Sequence, residues 1–470
     1  MTHRPELHVT AESGILDAPA GVFKDHADWH IFHQWHSAAT EGARWAHQVA
    51  TANPFDWEIC DDVLAPGPGI TEVRAGSVVN AGTETRLYST AVAGKHCYVQ
   101  LAAIEDLTAT TYDLADDPIA LDPHVQERGV VVDDQANFRN FRSPCVVPAW
   151  EDNATRTGNH KGWVMLAVAD TEERSTLVIL DSTDGIAWNL RGELELTGAA
   201  GIDTSQHKVV APRIIRLRDE VDQQIYDVLV LTLVDNSQPA TERSGYLVGS
   251  QSGTEFKVHS EFRLLDYGHD FTRPRNTNTI NADYNEAILF GFMNGQGRHH
   301  DPYRSVSWKE EGWANCLSLP RSVTLQGGRL FQTPYQGLPA AIRHSEHAAL
   351  WTGMLDIPEN SSIIVELIDA TGEVCARITH HGDHLVLDRA MSPHFSSNAV
   401  SAPITEGDTD SLTIIVDGST IEVFADGGQV AMSSRAYFTN GLAEFKVIPT
   451  GDADLIRQDI VSAAGLYQFL

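Results

Sequence analysis

The chain has 470 residues, of which 33 are Lys or Arg and 64 are Asp or Glu, so its formal net charge at pH 7 is −31. Such a field disfavours binding to nucleic-acid phosphates and to anionic membrane surfaces. No apolar run approaches the roughly 18 residues of a membrane span, and the first residues lack the pattern of a secretory signal. We therefore expect a cytoplasmic globular protein without nucleic-acid or membrane partners, and we leave its oligomeric state open.

Short apolar or alternating segments, typical of β-strands, recur along the chain. Examples are WHIFHQW (29–35), TRLYSTAV (85–92), GWVMLAVA (162–169), STLVILDS (175–182), YDVLVLTLV (226–234) and EAILFGFM (286–293). Gly, Pro, Asn and Asp bound these segments, and long stretches of helical period are absent. The sequence therefore predicts an all-β protein. Periodicity alone does not choose between a propeller, a barrel and a sandwich.

A change of pattern near residues 333–343, TPYQGLPAAIR, predicts a domain boundary. Before it, blocks of about 60 to 70 residues each carry several strands, the scale of one propeller blade with insertions. After it, six or more strands follow in about 125 residues, the profile of a β-sandwich. We predict two domains, over residues 1–335 and 343–470.

The cysteines predict no disulfide framework. They form no CxxC pair, and an odd number cannot all pair within one chain: Cys60, Cys97, Cys145, Cys316 and Cys375. Scattered thiols in a reducing cytosol are the simplest interpretation.

Eight segments occur in the order of the motifs of one family. They are PAGVFKDHADWHIFHQ (19–34), WAHQVATANPFDWE (45–58), RAGS (74–77), FRSP (141–144), VAP (210–212), DYGHDFTRPR (266–275), GWANCLSLPRSVTLQGGRLFQTP (312–334) and LTIIVDGSTIEVFADGG (412–428). Together they resemble glycoside hydrolase family 32, which includes invertases, levanases and inulinases. The resemblance implies a five-bladed β-propeller followed by a C-terminal β-sandwich, and a funnel-shaped sugar pocket on the propeller axis.

The resemblance also implies retaining cleavage of fructosyl linkages, without a cofactor. One carboxylate attacks the anomeric carbon while a second, about 5 to 5.5 Å away, protonates the leaving oxygen. A third acid of the family holds the fructosyl hydroxyls. A gapless alignment places Ala18 at the nucleophile, Ser143 at the third acid and Val210 at the acid/base position. We therefore expect little or no release of fructose from sucrose, inulin or levan.

Asp17 offers an alternative to this alignment. One inserted residue before Pro19 would place Asp17 at the nucleophile position. Because strand residues alternate between faces, such a shift turns the side chain away from the pocket unless a β-bulge re-aims it. Asp17 is therefore a catalytic candidate only if the alignment has an insertion.

Five arginines lie in or beside these motifs: Arg74, Arg142, Arg213, Arg273 and Arg275. A guanidinium binds carboxylate or phosphate with two hydrogen bonds, so the set predicts a site for an anionic sugar-like ligand. Alternatively, the arginines pair with Asp270, Asp283 or Glu72 and hold the blades together. Strand alternation predicts that two or three of the five reach the pocket.

Other residues complete the candidate set. Gln34, Trp45, Ser77 and Ser143 match family positions near the sugar, and Trp29 and Trp35 are further stacking candidates. The histidines of His299-His300-Asp301 and of His380-His381-x-x-His384 lack the converging ligands of a zinc site, so we interpret them as surface histidines and predict no metal. We expect Asp417 and Glu422 to have structural roles in the sandwich.

Three hypotheses of function remain at this level. The first is a family homologue that still binds a small carbohydrate but has lost most hydrolysis, acting as a sensor, scavenger or regulator. The second is a working glycosidase that uses Asp17 or relocated acids. The third is a scaffold whose propeller serves as a protein-interaction surface.

Overall fold

The structure is a computed structural model that describes residues 3–112, 114–117, 119–152, 156, 159–235, 241–276, 283–297, 299, 301–395, 399–405 and 410–463. Within these residues there are 33 strands and two short α-helices, α1 (Val306–Glu311) and α2 (Leu338–His344). The prediction of a nearly all-β fold is confirmed.

The N-terminal part forms five sheets of four or five strands. The first two contain β1 (Gly14–Asp25), β2 (Asp28–His36), β3 (Arg44–Thr51) and β4 (Glu58–Ile59), then β5 (Glu72–Asn80), β6 (Thr85–Ala93), β7 (His96–Ile104) and β8 (Val125–Val132). The third contains β9 (Arg139–Trp150), β10 (His160–Asp170), β11 (Ser175–Ser182) and β12 (Asn189–Glu193).

The fourth sheet contains β13 (Glu195–Thr197), β14 (Lys208–Arg218), β15 (Ile225–Asp235), β16 (Thr241–Ser252) and β17 (Glu255–Leu264). The fifth contains β18 (Phe271–Asn276), β19 (Ala287–Met293), β21 (Cys316–Leu317), β22 (Arg321–Gln326) and β23 (Arg329–Pro334), whereas β20 (Trp313–Ala314) pairs in parallel with β1 of the first sheet. Neighbouring strands within each sheet are otherwise antiparallel, apart from the β13–β17 pair.

The C-terminal part consists of two five-stranded sheets. One contains β24 (Ala349–Asp356), β29 (Asp410–Asp417), β30 (Thr420–Ala425), β31 (Val430–Arg435) and β33 (Asp454–Ser462). The other contains β25 (Ser362–Asp369), β26 (Val374–His380), β27 (His384–Asp388), β28 (Val400–Pro403) and β32 (Leu442–Thr450). Alternating apolar residues of both sheets, such as Trp351, Val365, Ile378 and Ile414, share one hydrophobic core, the packing of a β-sandwich.

One strand of each N-terminal sheet contains an extra residue relative to its neighbour. In β1, Leu16 lies opposite Trp35 and Pro19 lies opposite His33, so three steps on β1 match two on β2. The same offset occurs in β5, β9, β14 and β18, between Arg74 and Ser77, Arg142 and Cys145, Val210 and Arg213, and Thr272 and Arg275. Such β-bulges re-aim side chains and are common beside functional sites.

The five bulged strands lie next to one another. Strand β5 contacts β1 and β9, and β14 contacts β9 and β18. Three bulges contain a non-glycine residue with a left-handed backbone: Ser143 (φ 52°), Ala211 (φ 51°) and Arg273 (φ 46°). The bulges therefore form a repeated feature of five strands that lie side by side.

A buried network of charges joins the N-terminal sheets to the sandwich. The guanidinium of Arg321 donates to Glu422 Oε2 at 2.7 Å and to Asp266 Oδ2 at 2.9 Å, and all three side chains are fully buried. His8 bridges Asp417 Oδ2 at 2.8 Å and Glu422 Oε1 at 3.2 Å. We call these five residues the interface network. Asp417 and Glu422 thus have the predicted structural role, although it extends beyond the sandwich.

The first residues of the chain lie against the sandwich. Asp417 accepts hydrogen bonds from the backbone N–H groups of Glu6 at 2.9 Å and Leu7 at 2.8 Å. The N–H of Ser419 donates to the carbonyl oxygen of His3 at 3.0 Å. Strand β1 is therefore preceded by a segment that residues near the other end of the chain hold in place.

Candidate functional site

The bulges line a cavity of about 370 Å³. Residues from all five bulged strands line it: Asp17, Ala18, Glu72, Arg74, Ala75, Arg142, Ser143, Lys208, Val210, Ala211, Arg273 and Arg275, together with Gln34 and His36 of β2 and Thr90 of β6. The sequence motifs that are far apart along the chain thus meet in one concave site, the usual form of a small-molecule site.

The bulge of β1 points Asp17 into this cavity. Leu16 in β1 and Arg142 in β9 are the last paired residues before the bulge of each strand. Asp17 and Ser143 come directly after them, so they occupy the same position in their bulges. Ser143 stands where the family motif has its third acid. The bulge therefore turns the Asp17 side chain toward the cavity, which strict strand alternation would not do. Ala18, the next residue, packs in an apolar cluster with Phe32 and Trp45.

Donors surround the Asp17 carboxylate, which is 5% exposed. Gln34 Nε2 donates to Asp17 Oδ2 at 2.7 Å, and Gln34 Oε1 accepts from the backbone N–H of Ala75 at 2.8 Å. Arg273 Nη1 lies 3.4 Å from Asp17 Oδ1, and His36 Nε2 lies 3.6 Å from Asp17 Oδ2. The hydrogen bond to Asp17 raises the pKa of His36. Asp17 is thus held by a hydrogen bond from Gln34 and lies beside two basic side chains.

Arg273 links Asp17 to a second carboxylate. Its Nε donates to Glu242 Oε2 at 2.9 Å, and its Nη2 donates to Glu242 Oε1. Burial acts to lower the pKa of Arg273, but the carboxylates of Glu242 and Asp17 raise it. Glu242 lies on β16, outside every family-like segment, so sequence analysis missed it. Both carboxylate oxygens of Glu242 thus accept from Arg273, and Glu242 is not among the residues that line the cavity.

Two other cavity arginines also have acidic partners. Arg74 Nε donates to Glu72 Oε2 at 2.5 Å, and Arg142 Nη2 donates to Asp170 Oδ1 at 2.7 Å. Burial acts to raise the pKa of Asp170, but Arg142 and Ser175 lower it. The alternative in which arginines pair with acids is therefore right for these side chains, with Glu72 the only expected partner found. Asp270 instead pairs with Arg389 at 2.6 Å.

Arg275 differs from these arginines. It is 3% exposed, and its Nη1 donates to the carbonyl oxygen of Pro274 at 3.0 Å. Among the described residues it has no carboxylate partner, and its buried Nε makes no hydrogen bond there. Burial, together with the charges of Arg213 and Arg273, lowers the pKa of Arg275. The cavity therefore contains one buried arginine without a counter-charge.

Arg213, one of the five candidate arginines, does not line the cavity. It is 2% exposed, and its guanidinium donates to the backbone carbonyl oxygens of Pro144 at 2.9 Å and Gly76. Four of the five arginines reach the cavity, whereas alternation predicted two or three. The bulges explain the additional arginines. In a bulge two consecutive residues lie opposite one residue of the neighbouring strand, so the side chains no longer alternate strictly between the two faces.

The structure does not bring the predicted tryptophans or Ser77 to the cavity, whereas Ser143 lines it. Trp45 is fully buried, with its Nε1 donating to the carbonyl oxygen of Arg74 at 3.0 Å. Ser77 is 1% exposed and accepts from the N–H of Val146 at 3.1 Å. Trp29 and Trp35 belong to a different apolar cluster. These side chains support the strands behind the site, since each large ring faces the space between sheets.

Three residues were not predicted to line the cavity, although strand alternation could have placed them there. His36 lies two residues after Gln34, Glu72 two before Arg74, and Lys208 two before Val210, and residues two apart share a strand face. The ammonium of Lys208 has no ion-pair partner within the described ranges. Its charge is therefore available to a ligand.

The histidine clusters lie elsewhere. His380 is fully buried and contacts Asp426 Oδ1 through Nε2 at 3.2 Å, so its interpretation as a surface histidine is wrong. The rings of His381 and His384 stack with their centroids 4.2 Å apart, and both residues are partly exposed. His300 lies outside the described residues, and neither His299 nor Asp301 lines the cavity.

Two further findings concern the whole chain. All five cysteines are free thiols, as predicted, and four of them are buried. Among the described residues, no helix is long and apolar enough to cross a membrane. The cytoplasmic location stays a prediction.

Comparisons with known proteins agree with the sequence motifs. The family profile described as "Glycosyl hydrolases family 32 N-terminal domain" matches residues 8–334, and "Glycosyl hydrolases family 32 C terminal" matches residues 372–460. A sucrose-6-phosphate hydrolase of Bacillus subtilis (strain 168) is 24% identical over 96% of this chain and 93% of its own length.

Solved structures show the same fold. A sucrose-6-phosphate hydrolase from Lactobacillus gasseri superposes with a TM-score of 0.76 at 16% identity, covering 99% of this chain and 94% of the other. An exo-inulinase from Aspergillus awamori superposes with a TM-score of 0.73 at 18% identity, covering 99% of each chain.

Proposed function

The chain belongs to glycosyl hydrolase family 32, and we propose that its cavity binds a fructoside-type sugar carrying an anionic group, with little or no hydrolysis. One observation carries this proposal. The cavity is lined by five cationic side chains and two carboxylates, in a chain whose net charge is −31: Arg74, Arg142, Lys208, Arg273 and Arg275 against Asp17 and Glu72. A positive cavity in a negative protein attracts an anion and holds it through charge-assisted hydrogen bonds.

The relatives support the ligand class. Several matching proteins are named sucrose-6-phosphate hydrolases, so their names specify a phosphorylated disaccharide. We propose that Gln34, Arg74, Arg142, Ser143, Arg273 and Arg275 contact the sugar in this chain. Trp45 and Ser77 would contribute only indirectly, by supporting the strands behind these residues.

We attribute the expected loss of hydrolysis to the carboxylates that this chain lacks at the family's acid positions. Retaining cleavage needs a nucleophile and a separate proton donor. Asp17 fits the first role by its position in the bulge, whereas Val210 and Ser143 cannot donate or stabilise as carboxyl groups would. Absence of a general acid costs about 10² to 10⁴ in rate. Positive charge from Arg273 and Arg275 further opposes an oxocarbenium-like transition state.

A second candidate function is hydrolysis with Asp17 as the nucleophile. It is favoured by the equivalence of Asp17 and Ser143 in their bulges. A substrate whose leaving group needs no protonation, such as β-fructofuranosyl fluoride, isolates this role from the missing acid.

We also propose the domain division predicted from the sequence, with a five-bladed propeller over residues 1–335 and a sandwich over 343–470. Closure of the five sheets into a ring is supported by the contact between β18 and β1, which would complete the series of bulged strands. The parallel pairing of β20 with β1 would add a second connection at the same point.

Calorimetric binding tests the ligand proposal. We expect sucrose 6-phosphate to bind at least tenfold more tightly than sucrose at low salt, and this preference to shrink at high salt because exposed charges are screened. Lys208→Ala should reduce the preference several-fold, whereas Lys161→Ala, an exposed lysine outside the cavity, should not. Equal affinities for the two sugars would contradict the proposal.

Fluoride release tests the catalytic candidate. We expect the wild type to release fluoride from fructosyl fluoride but little fructose from sucrose, and Asp17→Asn to abolish the fluoride release. Asp181→Asn, at a carboxylate that pairs with Arg191 outside the cavity, is the control. Undiminished fluoride release by Asp17→Asn would exclude Asp17 as the nucleophile, and rapid turnover of sucrose would show that a proton donor is present.

A further inference from the structure

The cationic side chains of the cavity lie at different depths. Lys208 and Arg74 are exposed, Arg142 is partly buried, and Arg275 is 3% exposed although it lines the same space. The exposed cations therefore mark the mouth of the cavity, and Arg275 marks its closed end.

Pairing changes with depth as well. Arg74, Arg142 and Arg273 each have a carboxylate within 3 Å. In the part of the chain that the structure describes, Arg275 bonds only the carbonyl oxygen of Pro274. Arg213 donates to the backbone carbonyl oxygens of Pro144 and Gly76 and lies beside the Cys145 thiol, and it has no carboxylate partner there. Both Nε atoms are buried without a hydrogen-bond partner there. The stretch 277–282, which follows Arg275 closely in the chain and lies outside the described residues, contains no Asp or Glu.

A buried guanidinium beside another positive charge is unfavourable, because it has lost its hydration without gaining an anion. Folded proteins pair such groups in nearly every case. The two arginines and their unused donors are therefore best explained by an anion that arrives with the ligand.

We infer that the ligand's anionic group enters first and lies against Arg275 at the closed end of the cavity, so that the innermost sugar ring itself carries a phosphate or carboxylate. This inference rests on the proposed function and makes it more specific. It predicts that the ligand is a monosaccharide phosphate or a sugar acid, and not a disaccharide whose only phosphate is on the outer ring. The planar guanidinium provides the bidentate donor pair that either anion accepts.

The experiment compares ligands and stability in three proteins: wild type, Arg275→Gln and Arg44→Gln. The control Arg44 is also buried but pairs with Asp62 at 2.6 Å, outside the cavity. Fructose 6-phosphate, gluconate, sucrose 6-phosphate and fructose are titrated by calorimetry, and the melting temperature of each free protein is measured.

Two results are expected together. Arg275→Gln should reduce the affinity for fructose 6-phosphate or gluconate at least tenfold, and at least fivefold more than it reduces the affinity for fructose. The same substitution should raise the melting temperature of the free protein, because it removes an unpaired buried charge. Arg44→Gln should instead lower the melting temperature and leave all four affinities unchanged. Whichever of fructose 6-phosphate and gluconate binds more tightly identifies the anion.

Other results would overturn the inference. A lower melting temperature with unchanged affinities in Arg275→Gln would make Arg275 structural. Loss of sucrose 6-phosphate binding in Lys208→Ala but not in Arg275→Gln would keep the proposed function and place the anion at the mouth. No preference for any anionic sugar would contradict both. If Arg275→Gln does not fold, Arg275→Lys retains the charge without the fork, and an unchanged affinity for the preferred anion would contradict a bidentate site.

Discussion

Buried arginines occur both in the interface network and in the cavity, and their surroundings differ. Arg321 in the network is fully buried with two carboxylates at 2.7 and 2.9 Å, and Gln332 Oε1 accepts from its Nη1 at 3.1 Å. Arg275 in the cavity is nearly as buried but has only a neighbouring carbonyl oxygen among the residues described. A satisfied buried charge joins parts of a fold, whereas an unsatisfied one indicates that a partner is supplied from outside.

The largest effect is expected from breaking the satisfied cluster. Arg321→Ala leaves Asp266 and Glu422 buried without their shared cation, so the free energy of unfolding should fall by about 3 to 5 kcal/mol. Urea denaturation of the variant and the wild type measures the difference. A loss below about 1 kcal/mol would mean that water or other residues replace the cation and that the contrast with Arg275 is wrong.

A smaller effect is expected from the histidine of the network. Burial acts to lower the pKa of His8, but hydrogen bonds to Asp417 and Glu422 raise it. Burial likewise acts to raise the pKa of Glu422, but Arg321 and His8 lower it to about 2. The contribution of His8 is therefore complete below its ordinary pKa, near 6.5, and is lost as the pH rises through its raised pKa.

The contribution of Glu422 has the opposite dependence. It is complete above about 4.5, the ordinary pKa, and is lost as the pH falls toward 2. We expect His8→Gln, whose amide can keep one of the two hydrogen bonds, to lose about 1.5 to 3 kcal/mol at pH 6, and to show less decline than the wild type between pH 6 and 9. Urea denaturation between pH 6 and 9 measures the loss of stability and its pH dependence, with His344→Gln, at an exposed histidine, as the control. Parallel curves would contradict the assignment.

The smallest effect is expected at the edge of the cavity. Asp170→Asn removes the counter-charge of Arg142, so the affinity for an anionic sugar should rise several-fold, while stability changes by less than about 1 kcal/mol. Asp181→Asn frees Arg191, which lies outside the cavity, and should leave the affinity unchanged. Equal responses of the two variants would show that the gain reflects net charge and not the position of Arg142.

Strand content and the order of the motifs were predictable from the sequence, because turn residues and alternating apolar residues act locally. The position of Asp17 was not, since it depends on an offset between β1 and β2 that leaves no trace in alternation. The same bulge recurs in four other strands, and this recurrence is a sequence signal that a single strand cannot provide. In β9, β14 and β18 a proline follows the residue with the left-handed backbone, as at Ser143-Pro144.

The carboxylate partners of the arginines could not be predicted from the sequence either. Glu242 reaches Arg273 from a strand that no motif marks, and Asp170 reaches Arg142 from the adjoining strand β10. Such partners are set by sheet geometry over 28 to 31 residues of chain. Sequence analysis could therefore identify which arginines belong together, but not which of them remain without an anion.

Attachment of the first residues to Asp417 and Ser419 has a consequence for synthesis of the chain. His3, Glu6 and Leu7 contact residues more than 400 positions later, so their native hydrogen bonds cannot form until the sandwich strands have left the ribosome. The middle sheets, built from neighbouring strands, can form earlier. Strand β1, and with it the placement of Asp17, is then among the last parts of the molecule to settle, although it is among the first to be made.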